Sequence, residues 1–303
     1  MSSVLVTGAT GFIGRRTIDP LVRAGAEVHA LTRRRPDGAR ADVIWHEANV
    51  HDRAATAALL ARVRPSHLLH LAWYVTPGLY LRSLENLGWV GTTIGLLEAF
   101  AAAGGRRVVV AGTSAEYDPA GGLCVEERTP IAPSTLYAAC KRGVYDVLRG
   151  WSAQAGVTFG WGRIFFLHGP DEAPRRLVPQ LVRAGLSGAP FPLRYPAQVR
   201  DYMHVADTAS ALVALLMSEV QDAVNIASGE PVALAELARH VERWLERPVT
   251  ILAGEPVPDP TPMLVGDPTR LRAEVGFVPR YTLSEGLRDT VEWWKARKDL
   301  VLT

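Results

Sequence analysis

Short apolar runs alternate with segments of helical spacing through the first half of the chain. Residues 4–6, 27–31, 43–45, 67–71 and 107–111 read as short buried strands. Between them, 15–24, 53–63 and 86–103 place apolar residues three and four apart and read as helices. Strand–helix alternation of this kind predicts a parallel sheet with helices on both faces. A helix over 133–155 and a strand over 158–165 continue the pattern. The texture then changes. Prolines stand at 170, 174, 179, 190, 192 and 196, with Arg175, Arg176, Arg183, Arg194 and Arg200 among them. This stretch reads as a smaller, loop-rich lobe. A helix at 206–217 and a last strand at 223–227 return to the sheet, and 231–246 and 283–295 read as helices of the lobe.

Composition narrows the class. The 303 residues are 48% hydrophobic with a net charge of +2, enough for a full core and too balanced for a nucleic-acid or membrane-surface protein. No apolar run approaches the roughly 18 residues a membrane span needs. The start of the chain lacks the pattern of a signal peptide. Cys124 and Cys140 are too few for a disulfide framework or a metal site, so a reduced, cytoplasmic setting is expected.

The chemistry begins at the first strand, which runs into Thr7-Gly8-Ala9-Thr10-Gly11-Phe12-Ile13-Gly14. Glycines there let the backbone turn tightly and approach a pyrophosphate, and the next helix offers free N–H groups to it. The reading is a Rossmann doubly wound α/β fold with Gly8, Thr10, Gly11, Phe12, Ile13 and Gly14 around a dinucleotide. An acidic residue at the tip of the second strand would hold a ribose 2′-hydroxyl. The tip instead reads Thr32-Arg33-Arg34-Arg35, and Arg33 and Arg34 suit a 2′-phosphate, so NADP(H) is favoured over NAD(H). Asn49 and Val50 follow the third strand, where the adenine is expected. The dinucleotide domain covers 1–168 with about 201–228. The discontinuous substrate lobe covers 169–200 and 229–303.

Tyr137 and Lys141 are four apart and share one helix face. A cation beside a phenol favours its ionised form and makes it a usable proton carrier. Thr113 and Ser114 end the fifth strand, where a hydroxyl points into the ligand crevice and can bond a reacting oxygen.

TGATGFIG, His70-Leu71-Ala72, GTSAEYD, YAACK, Arg163…His168-Gly-Pro170, RDYMHVAD at 200–207 and NIASGEP at 225–231 occur in one order over nearly the whole chain. In this the sequence resembles the extended short-chain dehydrogenase/reductase superfamily, in its nucleotide-sugar epimerase, dehydratase and reductase branch. The resemblance implies a triad of Thr113, Tyr137 and Lys141, with Lys141 also on the nicotinamide ribose. It places Leu71, Ala72 and Phe165 at the cofactor. It places Thr113, Ser114, Phe166, Arg176 and Arg200 at the substrate, with Arg200 on the diphosphate. Phe166 stands where the family often has an asparagine. Asp201, His204 and Asp207 are expected to brace their loop and cap the next helix.

Departures from the family select the reaction. Dehydratases carry an acidic pair after the threonine, and here those places are Ser114 and Ala115, with Glu116 one position late. Reductases that also epimerise use a Cys and a His, and here those places are Ala115 and Arg176. The expectation is NAD(P)H-dependent reduction of a keto group on a nucleotide-activated sugar, as in a 4-keto-6-deoxyhexose 4-ketoreductase. The alternative is a 4-epimerase with tightly bound NAD. Behind these stand a 4,6-dehydratase, a reductase of smaller carbonyls and a non-catalytic NADP sensor. A homodimer built on helices 86–103 and 133–155 is expected by the same resemblance.

Overall fold

The apolar runs of the first half become strands of one sheet in the computed structural model, which describes residues 2–118, 120, 122–253 and 261–297. In chain order the first half runs β1 (Ser3–Thr7), α1 (Gly14–Arg23), β2 (Glu27–Thr32), β3 (Ile44–Glu47), α2 (Arg53–Val63), β4 (His67–His70), α3 (Glu85–Ala102), β5 (Arg107–Thr113), β6 (Gly122–Cys124), α4 (Leu136–Trp151), β7 (Thr158–Ile164) and β8 (Phe166–His168). The second half runs α5 (Leu177–Ser187), β9 (Phe191–Leu193), β10 (Val199–His204), α6 (Val205–Met217), β11 (Asp222–Ile226), β12 (Pro231–Ala233), α7 (Leu234–Leu245), β13 (Ile251–Ala253), β14 (Met263–Gly266), α8 (Thr269–Ala273) and α9 (Leu283–Lys295).

The main sheet has the order β11-β7-β5-β4-β1-β2-β3, and every neighbouring pair is parallel. Strand order reverses between β1 and β4, which opens a ligand crevice beyond their carboxyl ends. Helices α2, α3 and α4 bury Leu59, Leu60, Leu96, Leu97, Phe100, Val144 and Leu148 on one face. On the other face α1 and α6 bury Ile18, Leu21, Leu212, Leu215 and Leu216. This is the Rossmann-like α/β arrangement expected from the alternation. No helix among the described residues is long and apolar enough to cross a membrane.

The lobe is more ordered than its prolines suggest. A second sheet runs β12-β10-β14-β6, with β8 beside β10, and α5, α7 and α9 close a core of Leu181, Leu237, Val241, Leu287 and Trp294. Pro179 does not prevent α5, because it lies in the first helical turn, where its missing N–H has no partner to lose. The second sheet also takes 122–124 and 166–168 from the first half, and β10 stays in it as far as His204. Strands of three residues have no alternation to reveal them. Residues 231–246 divide into β12 and α7, and the helix expected over 133–155 contracts to α4, begun by the Thr135 side chain accepting from the Ala138 N–H.

Candidate active site

The glycine loop is shaped by backbone contact. Gly8 has φ of 72°, and a Cβ there would lie 2.8 Å from the Ala72 nitrogen. A Cβ on Gly14 would lie 2.0 Å from the Gly8 carbonyl oxygen. No side chain caps α1 and its first turn holds no acidic residue, so its N–H groups face the loop without a competing carboxylate. Thr10 and Gly11 are exposed at the tip, and Phe12 and Ile13 are half-buried. The Leu71 N–H donates to the Thr7 carbonyl (3.2 Å) and the Ala72 N–H to the Thr7 hydroxyl (3.3 Å), which fuses the 70–72 segment to the loop. His70 bridges the Thr7 and Thr93 hydroxyls at 2.7 and 3.0 Å, and burial pushes it down to about 3, so it is a neutral brace. These groups fit a dinucleotide: a cradle that any Cβ would fill, ending on a free helix terminus.

At the ribose end, Arg33 and Arg34 are exposed, and the Thr32 hydroxyl donates to the Arg34 carbonyl (2.9 Å) to shape the turn. Sequence reasoning found no acid here. Tertiary pairing supplies one, because Glu47 at the end of β3 lies opposite Thr32 and accepts from the Arg35 N–H at 3.3 Å. The alternation of β3 gives no sign of this. Asn49 accepts from the His51 N–H (3.2 Å), and Val50 packs half-buried on the core beneath.

The candidate catalytic residues meet where β5 ends against α4. Apolar and catalytic side chains share one face of α4, with Tyr137, Lys141, Val144, Tyr145 and Leu148 all buried. The Thr113 hydroxyl is in hydrogen-bonding reach of the Tyr137 phenol and also accepts from the Ala115 N–H at 3.2 Å. Thr113 is thus both a turn cap and a partner of the phenol. Lys141 is turned differently from expectation. Its Nζ donates to the Ala111 carbonyl (2.8 Å) and lies 3.9 Å above the Trp73 ring, and burial pushes it down to about 7. Burial raises the Tyr137 phenol, the neighbouring Tyr80 adds to that, and the Thr113 hydrogen bond and the Arg176 charge oppose it. Burial therefore outweighs the lowering that Lys141 was expected to give.

A loop that the sequence left unread encloses both residues. Asn86, fully buried, accepts from Trp73 Nε1 (2.8 Å) and donates to the Tyr80 and Ser83 carbonyls (2.6 and 2.8 Å). This fixes Trp73 over Lys141 and Tyr80 against Tyr137, the two phenol rings meeting edge-on at 4.8 Å. The Leu81 carbonyl accepts from the Tyr137 N–H at 3.1 Å. Arg176 lies with its guanidinium carbon 5.2 Å from the Tyr80 centroid. Nothing in the local spacing of 73–86 marks these contacts.

Other expected residues separate into two groups. Arg200 and Phe166 come together, the guanidinium 5.4 Å from the ring centroid and its Nη1 donating to the Val199 carbonyl at 2.7 Å. Ser114 is buried in the turn after β5. Phe165, expected at the cofactor, instead has its ring in a small core with Tyr117, Ala227 and Leu264. Glu116 faces inward: it accepts from the Thr113 N–H (3.0 Å), Trp161 Nε1 (2.9 Å) and Arg163 Nε (3.0 Å). Its ion pair with Arg163 is wholly buried, so it braces β5 to β7 rather than serving as an acid. Asp201 accepts from the Ser228, Gly229 and Gly266 N–H groups, Asp207 from those of Arg280 and Tyr281, and His204 caps α6. All three are the expected braces.

Residues 4–227 match the model of the NAD dependent epimerase/dehydratase family. The UDP-glucose 4-epimerase of Rhizobium leguminosarum bv. trifolii is 30% identical over 324 residues, 96% of this chain and 97% of that one. The dTDP-glucose 4,6-dehydratase of Neisseria meningitidis serogroup B is 26% identical over 98% of this chain and 94% of its own. The crystal structure of the Thermus thermophilus UDP-glucose 4-epimerase in complex with NAD is similar with a TM-score of 0.83 and 25% identity, covering 97% of this chain and 99% of that one.

Proposed function

The chain belongs to the NAD dependent epimerase/dehydratase family of extended short-chain dehydrogenase/reductase enzymes, and from that premise we propose that it interconverts nucleotide-activated sugars by hydride transfer at C4, as a 4-epimerase. The proton inventory of the site supports C4 hydride transfer over dehydration, and the 30% identity to a UDP-glucose 4-epimerase supports epimerisation over reduction. Thr113, Tyr137 and Lys141 converge, and the two places that would make a dehydratase hold Ser114 and Ala115, with Glu116 committed to Arg163. The glycine cradle would hold the pyrophosphate of a dinucleotide, which when bound supplies reversible hydride transfer at C4. The work of the chain is proton and position. The Thr113 hydroxyl would orient the C4 oxygen, Tyr137 would take its proton and give it back, and Lys141 would hold the ribose while its charge draws the phenol toward ionisation. Arg200 would hold the diphosphate over Phe166, and Arg176 would face the sugar.

Glu47 beside the ribose end supports NAD, and the exposed Arg33 and Arg34 support NADP(H). The arginine turn is the observation favouring a second reading, the 4-ketoreductase that consumes NADPH. Incubating purified protein with a nucleotide sugar decides between them. Interconversion of C4 epimers without net change in cofactor absorbance supports the epimerase. Oxidation of one NADPH per 4-keto sugar reduced would replace it with the reductase. We also propose a homodimer through α3 and α4, supported by Leu87 and Val147, which are 56% and 44% exposed on those helices. Sedimentation of the protein as a monomer would refute it.

A further inference from the structure

Arg176 stands at the start of α5, half-buried, one aromatic ring away from the general acid: its guanidinium lies on Tyr80, and Tyr80 lies against Tyr137. Among the described residues no carboxylate forms an ion pair with it. Arg15, Arg163 and Arg270, by contrast, each meet one. The acid beside Arg176 is Glu172, which is 7% exposed and has no hydrogen-bond partner for Oε2 among the described residues. Burial pushes Glu172 up to about 8 although Arg176 pulls it back, so it is protonated at neutral pH and leaves the guanidinium uncompensated. Tyr202 of β10 lies by the same pair, and burial raises its phenol. A partly desolvated cation without a counter-charge is costly, and it is satisfied when an anionic ligand meets it.

We propose that Arg176 is a specificity-determining residue for a nucleotide sugar carrying a carboxylate beside the reacting carbon, a nucleoside diphosphate hexuronic acid. The proposal rests on the C4 hydride-transfer reading above. In a hexose, C6 hangs on C5, the neighbour of C4. When the C4 oxygen meets Tyr137, a C6 carboxylate extends toward the groups flanking that phenol. The diphosphate is attached at C1, on the far side of the ring, and falls to Arg200. The planar guanidinium matches a carboxylate with two parallel hydrogen bonds. Neutral Glu172 is part of the device, because an ionised Glu172 would occupy the guanidinium itself.

Calorimetric titration of the cofactor-loaded protein tests this through binding affinity. The probes are glucose and glucuronic acid linked to UDP and to dTDP, with free UDP and dTDP as references. With whichever nucleotide binds, the uronic acid is expected to bind roughly tenfold tighter than the hexose, the worth of one charge-assisted pair. Arg176→Gln should weaken the uronic acid by roughly tenfold more than the hexose and so erase that preference, and Arg176→Lys should restore part of it. Equal weakening of all three ligands would assign Arg176 to the diphosphate and overturn the proposal. So would a wild-type protein that binds the hexose as tightly as the uronic acid. If the free nucleotides bind and neither sugar adds affinity, or if nothing binds, the nucleotide-sugar reading itself fails.

Discussion

The cofactor side and the sugar side of the crevice are made in different ways. The cofactor side is backbone: Gly8 against Ala72 after β4, Gly14 against the Gly8 carbonyl, and the bare start of α1, with both glycines and the helix start within a few residues of β1. The sugar side is side chain: Tyr80 from the loop before α3, Phe166 from β8, Glu172 and Arg176 from the β8–α5 connection, Arg200 and Tyr202 from β10. A backbone cradle recognises what every dinucleotide shares. A wall of side chains from distant segments can be changed residue by residue, and under the proposed function the choice of sugar would be made there.

The largest effect is expected at the seam between the two sides. Tyr137→Phe should lower kcat by about 10²- to 10⁴-fold, the usual worth of a positioned proton carrier, while cofactor affinity measured by fluorescence titration stays unchanged. A variant with full turnover would remove Tyr137 from its assigned role. Next is Gly14→Ala, whose methyl carbon must displace the Gly8 carbonyl. Cofactor binding should weaken by at least about 100-fold, as expected for a cradle held by close backbone approach. Near-normal cofactor affinity would show that the loop is not a rigid backbone mould.

Glu172 probes the sugar side through stability. Its folded-state carboxyl is raised to about 8 from the usual 4.5. Above 4.5 the unfolded chain releases this proton while the folded protein keeps it, so stability falls as pH climbs through the window from 4.5 to 8. Glu172→Gln removes that loss. Its advantage over the wild type in thermal melts should grow by about 3.5 kcal/mol between pH 5 and pH 8. A pH-independent difference would mean that Glu172 is ionised in the fold. The smallest effect is expected at the ribose end. Replacing Arg33 and Arg34 with Ser should shift the ratio of NADPH to NADH affinity by roughly tenfold toward NADH, and Glu47→Gln should shift it the other way. An unchanged ratio in both would separate this turn from cofactor choice.

How much was legible follows the same division. The seven-stranded sheet and its helices were readable because buried parallel strands and amphipathic helices leave periodic traces several residues long. The 10–14 stretch and the Tyr137–Lys141 pair were readable because each is local: one is a tight turn, the other two positions on one helix face. The second sheet was not readable, since β6, β8 and β12 have three residues each and draw their definition from partners far along the chain.

The sequence by itself determined the dinucleotide fold, the candidate triad of Thr113, Tyr137 and Lys141, and the absence of an acidic pair after Thr113. Those follow from short-range spacing and residue type. Only the tertiary structure decided where charges stand. It turned Glu116 inward onto Arg163, set Glu47 beside the arginine turn, placed Lys141 under Trp73 instead of leaving it to govern Tyr137 alone, and left Arg176 beside a protonated Glu172. The physical reason is that a side chain's charge depends on burial and on neighbours contributed by other segments, and neither is written in the residues next to it.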